Sequence, residues 1–381
     1  MFNKTVMNHK YIPSLLLAIL LSSAVANAQI NVANQINTIP ANFSAYANSY
    51  LVDLTRHQGF TFLNNLNTTG NVLKKWELSF SIKLGAGLST DYIAPGFTQN
   101  FELTGGMPTL FGTQKPGKLV FRFIDEGTGV PVVNPFTGEN LGFGLPLFPG
   151  LGTAIGISPA LLPVFSLGLG YGTEISVGVL PGAIKLATKG IANNFSISKD
   201  VMAAFGVRHD VFNWVPVLHD RKFYLSLGIN YSLISLGAAI GADLIGQIDA
   251  PSTDKIVVTN NLTGLNYKSN NFGLEAVLTK KFGFLDLSLF SSWNQSNFKL
   301  LSDGGVDIKI AKSFYTTVGE GFDTYSIANL IDVNQKNSHF IYGLALQFNL
   351  GRFNLALKAA PFSGHYYSLG LGFKILKEKK A

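Results

Sequence analysis

Eight charged side chains, Glu77, Lys83, Arg122, Glu174, Arg208, Glu275, Asp286 and Lys358, stand in stretches where every second residue is apolar, and each falls on the polar face of its stretch. Successive side chains of an extended chain point to opposite faces. The eight therefore share whatever space the apolar faces do not enclose. Both signs of charge are present, which fits ion pairs that cross a narrow interior and fill it, or a lining that binds a solute. The histidines invite a comparison with hydrolases. Ser338-His339 and His365, with Asp303 and Asp323 in a neighbouring loop, would be the components of a Ser-His-acid site. Their spacing is loose and no G-x-S-x-G nucleophile motif occurs, so no catalytic residue is assigned and the chain is not read as an enzyme. There is no cysteine and no histidine pair at helical spacing, so no metal site and no cofactor is expected.

The elements that carry these residues are strands. In "WELSFSIKLGAGLS" (76–89) the apolar positions are Trp76, Leu78, Phe80, Ile82, Leu84, Ala86 and Leu88, a period of two. The longest such run, Phe165 to Val179, reads as a single strand with Glu174 on its polar face. "KLVFRF" carries Arg122, "DVMAAFGVRH" Arg208, "KFYLSLGINYSL" Asn230, "NFGLEAVLT" Glu275, "FLDLSLFSSW" Asp286, "FIYGLALQFNL" Gln347, "FNLALKA" Lys358 and "YYSLGLGFKI" Lys374. These make ten strands. Many exceed the usual soluble strand of about 5 or 6 residues and reach the roughly 9 to 11 that cross a bilayer. Aromatic residues such as Trp76, Trp293, Phe340, Tyr342 and Phe348 sit toward strand ends, as an interfacial girdle requires. The prediction is an all-β fold, a transmembrane antiparallel β-barrel of 10–14 strands preceded by a helical segment.

Connections sort by length. "KKFG" and "NLGR" are short and fall on one side, while 89–116, 237–267 and 297–337 are long and fall on the other, as periplasmic turns and outer loops do. One long connection, Asp125 to Phe165, falls on the wrong side. Residues 140–173 hold no charged side chain, so the stretch is predicted to be covered, as a further hairpin through the alternating Phe143, Leu145 and Leu147, which would give twelve strands, as a plug in the lumen, or as a transmembrane helix, against which its Pro and Gly content argues. In "FGVRHDVFNWVPVLHDRKFYL" a short interfacial helix anchored by Trp214 is expected between two strands, with His209 and Asp210 capping the strand end.

Composition agrees with a membrane-embedded, exported protein. Of 381 residues only 13% are charged and 40 are glycine, against about a quarter charged in soluble proteins. Lys4 and Lys10 precede "SLLLAILLSSAVA", and Ala26-Asn27-Ala28 is a small-x-small cleavage pattern. The predicted organisation is a signal peptide at 1–28, a helical or plug segment at 29–73, an outer-membrane barrel at 74–376 and a charged tail at 377–381. In the segment, Phe43, Tyr46, Ala47, Tyr50, Leu51 and Leu54 recur at helical steps, leaving open whether this helix blocks the lumen or stays in the periplasm. Basic residues are scattered, which excludes a nucleic-acid surface. The partners expected are outer-membrane lipid, a small hydrophobic solute, and the barrel assembly machinery during insertion.

Four segments, "SAYANSYL", "FTFLNNLNTTGNVLKKWELSFSI", "GLGYGTEISVGVLP" and "AAFGVRHDVFNWVPVL", resemble in order and style an uncharacterised family of outer-membrane barrels from Bacteroidetes-like bacteria, a domain of unknown function. The resemblance implies a barrel and an envelope location, and no activity. More distantly, a helix ahead of the barrel is similar to fatty-acid channels, whose N-terminal segment plugs the lumen. The functional expectation is a channel or binding protein for small hydrophobic solutes; the alternative is a structural or adhesion barrel with a filled lumen.

Overall fold

The computed structural model describes residues 31–50, 59–89, 96–104, 118–133, 138, 140–146, 156–181, 195–240, 255–314, 320–363 and 365–376. Its strands, in chain order, are β1 (Leu78–Ser89), β2 (Phe101–Thr104), β3 (Lys118–Arg122), β4 (Gly142–Pro146), β5 (Gly156–Gly170), β6 (Thr173–Pro181), β7 (Phe195–Asp210) and β8 (Phe223–Ile240). They continue as β9 (Ile256–Asn260), β10 (Gly264–Phe282), β11 (Leu285–Asp303), β12 (Val306–Ala311), β13 (Phe322–Ile327), β14 (Asp332–Leu350), β15 (Phe353–Ala360) and β16 (Tyr366–Leu376). The helices are α1 (Val32–Ile36), α2 (Ile39–Tyr50), α3 (Gly59–Asn64) and α4 (Pro216–Asp220). The predicted signal peptide, Leu51, Leu54, residues 241–254 and the tail lie outside the described residues.

Ten strands close into one antiparallel barrel, in the order β1, β5, β6, β7, β8, β10, β11, β14, β15, β16 and back to β1. Ten is the lower bound of the predicted range, and it equals the count of alternating runs only because two errors cancel. The run Phe165 to Val179 is not one strand but the hairpin of β5 and β6. Its turn is Tyr171-Gly172, with φ of 51° and 76°, the left-handed pair that a two-residue hairpin turn needs. Across it Ser166 faces Ser176 and Val164 faces Gly178. A two-residue turn changes parity, as Gly170 opposite Thr173 shows, and a bulge between Gly168 and Gly170 changes it back, so from Gly168 outward even-numbered residues pair with even-numbered ones, the alternation continues and the sequence carries no sign of the hairpin. Conversely, "KLVFRF" is not a wall strand. Residues 118–122 form the centre of a separate three-stranded sheet, β2-β3-β4, and the predicted hairpin around Phe143 is its outer strand, with Phe143 opposite Phe121.

Moving β3 out of the wall also removes the misplaced connection, since 90–155 becomes one long excursion from β1 to β5. The connections at 171–172, 211–222, 283–284 and 351–352 now lie at one end; of the short ones, 361–365 between β15 and β16 lies at the other. The two accessory sheets, β2-β3-β4 and β9-β12-β13, lie in long connections at the other. Between β7 and β8 the chain makes a 3-10 turn over Val211–Trp214 and then α4, and the Asp210 carboxylate accepts from the Phe212 N–H at 3.1 Å. Trp214 is exposed at this rim, as the sequence predicts.

The outer wall is apolar only over part of its height. Along β11 the outward residues Leu285, Leu287, Leu289 and Trp293 give way to Gln295, Asn297 and Lys299; along β14 Phe340 to Leu350 follow Asn334, Lys336 and Ser338. Tyr231, Phe272, Trp293 and Phe340 mark the upper boundary at one level, since Tyr231 pairs with Phe272 and Trp293 with Phe340. Phe284, Phe348, Phe353 and Phe373 mark the lower one. From Leu285 to Trp293 a strand climbs about 27 Å, or about 20 Å at the tilt usual in barrels, comparable with the roughly 25 Å apolar band of outer-membrane barrels. The polar strand ends rise beyond this band on the side of the long connections.

Candidate functional site: the barrel interior

Residues 59–77 of the same chain occupy the interior. α3 brings Phe60, Phe62 and Leu63 to full burial, and the chain then runs extended toward the short-turn end. Small wall residues make room for it. A Cβ on Gly85 would overlap the side chains of Thr61 and Asn65, and one on Gly168 would strike the carbonyl of Lys74.

Seven of the eight predicted residues line this interior, and their bonds run chiefly to the inserted chain. Near mid-height, Lys358 Nζ donates to Glu275 Oε1 (2.7 Å) and to the carbonyls of Asn64 (2.9 Å) and Asn67 (3.0 Å). Glu275 Oε2 accepts from Asn67 Nδ2 (2.7 Å) and Asn230 Nδ2 (3.2 Å). The Lys358 ammonium also sits 4.1 Å from the Phe290 ring centroid. Lys83 Nζ donates to the carbonyl of Leu66 (3.0 Å) and to Thr68 Oγ1 (3.1 Å). Lower down, Arg208 donates to the Thr69 carbonyl and pairs with Glu174 at 2.8 Å. Glu174 in turn accepts the Leu73 N–H at 2.8 Å. Asp286 accepts from Thr69 Oγ1 at 3.4 Å, and the Gly70 N–H donates to Thr279 Oγ1 at 2.6 Å. At the exit Glu77 accepts the Lys74 N–H at 3.1 Å and lies 3.5 Å from Lys374.

Arg122 is the exception. It pairs with Glu102 in the β2-β3-β4 sheet and is partly exposed, far from the interior network in the fold. Its misplacement follows from that of β3. Sequence reasoning missed the inserted side of the site: Asn64, Asn65, Asn67, Thr68 and Thr69 have no periodic partner in the chain and read as a loop. The available signal was that Gly59 to Leu73 is free of charge yet rich in Asn and Thr, a composition able to bond buried charges without adding any.

The histidine constellation is not assembled. Ser338 and His339 face opposite sides of β14, Asp303 accepts from Asn266 and Asp323 pairs with Lys312. His339 packs edge-on against Phe60, ring centroids 4.6 Å apart. An apolar notch of about 430 Å³ exists, but it opens on the outer wall between β14 and β1, lined by Leu84, Leu344, Leu357, Tyr367 and Leu369.

The interior contacts predict a measurable cost. Lys83→Ala strips Leu66 O and Thr68 of a charged donor, and each buried acceptor left unpaired costs about 1–3 kcal/mol. Urea titration of the protein refolded in lipid vesicles should show the midpoint falling accordingly.

Residues 7–375 match the family described as "Family of unknown function (DUF6588)". The chain belongs to this family. No curated protein matches. Among solved structures, the translocator domain of autotransporter NalP from Neisseria meningitidis is similar at 8% identity and TM-score 0.33, over 87% of this chain and 99% of that one. A major outer membrane protein from Thermus thermophilus is similar at 12% identity and TM-score 0.20, over 78% and 99%. The Pseudomonas putida toluene transporter TodX is similar at 9% identity and TM-score 0.19, over 78% and 88%. The family match carries neither a bacterial lineage nor a likeness to fatty-acid channels.

Proposed function

We propose that this member of the family is an outer-membrane barrel filled by its own chain, an anchor that holds a folded cap at the long-connection end rather than an open path for small hydrophobic solutes. One observation carries the reading: the charged groups that could have lined a path, from Lys358 and Glu275 down to Arg208 and Glu174, bond to residues 64–73 of the same chain. A solute would have to displace those bonds. The cap is substantial. Phe43 and Tyr46 of α2, Phe121 and Phe143 of one accessory sheet, and Ile308 and Ile310 of the other belong to a single buried cluster. Its exposed edges, including Val130 and Phe322, offer an adhesive or structural surface.

Two measurements test this. In planar bilayers the purified intact protein should give no current steps and liposomes carrying it should not swell in small solutes; uptake of fatty acids or aromatic compounds lost on deletion of the protein would favour the solute path instead. The membrane placement is tested by Leu289→Arg, a 56% exposed position within the apolar band. Facing hydrocarbon it should destabilise the barrel by about 2–4 kcal/mol. Facing water it should cost next to nothing.

A further inference from the structure

The inserted chain has a direction as well as a position. α1 and α2 lie among the long connections: the Asp332 N–H, at the start of β14, donates to Ser44 Oγ at 3.1 Å, the Thr98 N–H to Asn42 Oδ1 at 2.8 Å, and Gln35 Nε2 to the Ile124 carbonyl at 2.6 Å. Next come contacts high in the barrel, Phe60 against His339 and Tyr366 OH donating to Asn65 Oδ1 at 2.6 Å. Lys358 and Glu275 follow at Asn64 and Asn67. The last contacts, Thr69 to Asp286, Leu73 to Glu174 and the Trp76 N–H to the Gly168 carbonyl at 2.8 Å, lie beside the short turns. The chain thus descends the whole lumen before β1 begins.

In outer-membrane barrels the short turns face the periplasm and the long loops face outward. Resting on the outer-membrane reading above, we infer that residues 32–50 stand on the cell surface, having crossed the outer membrane through the chain's own barrel, and that the same path would carry a peptide placed ahead of Asn31.

A second observation points the same way. Between Gln29 and Lys74 the only Asp, Glu, Lys or Arg residues are Asp53 and Arg56. Charges are costly to draw through a confined interior, whereas amides and hydroxyls exchange water for wall hydrogen bonds. The segment that must pass carries only these two charges. Once across, α1 and α2 bury Ile36, Ile39 and Tyr46, each at most 1% exposed, in the cap, and this burial holds the segment on the far side.

The absence of cysteine makes single-cysteine labelling clean. Ala41→Cys, exposed on α2, is compared with Glu126→Cys in the β1–β5 connection and Arg352→Cys in the β14–β15 turn, in the full-length chain, using a membrane-impermeant maleimide on intact cells and again after permeabilisation; Asn34→Cys, exposed on α1, stands in should Ala41→Cys not assemble. Positions 41 and 126 should label on intact cells to the same extent, and 352 only after permeabilisation. If 41 is protected while 126 labels, the threaded path is wrong and the outer-membrane barrel stands. Should all three need permeabilisation, or 352 alone label on intact cells, the placement or orientation of the barrel fails and the threaded path fails with it.

Discussion

A chain lacking residues 31–73 is expected to conduct ions where the intact protein does not. Barrels of about eight strands have an interior just filled by their own side chains, and larger ones leave space. Here ten strands leave room that α3 and the extended residues after it take up. Without them Lys83, Lys358 and Arg208 lose the carbonyls of Leu66, Asn64, Asn67 and Thr69 as acceptors. Charged groups left in a cavity draw in water in their place. A water-filled interior carrying both signs of charge is a conducting path, so planar bilayers should change from baseline leak to discrete current steps. A shortened chain that inserts, closes and still gives no steps would mean that wall side chains alone fill the barrel.

The second large effect lies at the Lys358–Glu275 pair. Both side chains are at most 2% exposed, with a 2.7 Å contact. Removing one partner of a buried ion pair typically costs about 3–5 kcal/mol, because the other charge is left uncompensated. Lys358→Ala and Glu275→Ala should each lower stability by that order in denaturant titrations of the vesicle-embedded protein. The double replacement Lys358→Ala with Glu275→Ala should lose clearly less than the two single losses together, since it leaves no unpaired charge. Additive losses would show that each residue bonds to the inserted chain independently, through Asn64 and Asn67, and that the pair itself contributes little.

The two errors in the sequence reading have one origin. Alternation reports that a residue is extended with unlike faces, and it does not report which sheet the residue joins. "KLVFRF" alternates because β3 packs Leu119 and Phe121 into the cap while Val120 and Arg122 face outward, a pattern equal to that of a wall strand. The β5–β6 hairpin vanished for the complementary reason, a two-residue turn whose change of parity is undone by the bulge between Gly168 and Gly170. By alternation Tyr171 falls on the apolar face with Phe165 and Val179, yet it is the turn residue at φ 51° and stands 85% exposed. Leu119 and Leu289 look alike in sequence, but one is wholly buried and the other half-exposed on the outer wall.

By itself the sequence determined that ribbons with one oily and one polar face dominate this chain, which residues occupy each face of most of them, and that the "KKFG" and "NLGR" turns share one end. Those features follow from the two-residue repeat of the extended backbone, a property settled between neighbours. Only the tertiary structure decided what the polar faces meet and from which end the N-terminal segment enters. Those outcomes rest on contacts such as Asn67 to Glu275 and Lys358 to the Asn67 carbonyl, whose members lie 208 and 291 positions apart. No local periodicity links an uncharged Asn- and Thr-bearing stretch to its charged partners; only its place inside the closed barrel brings them within bonding distance.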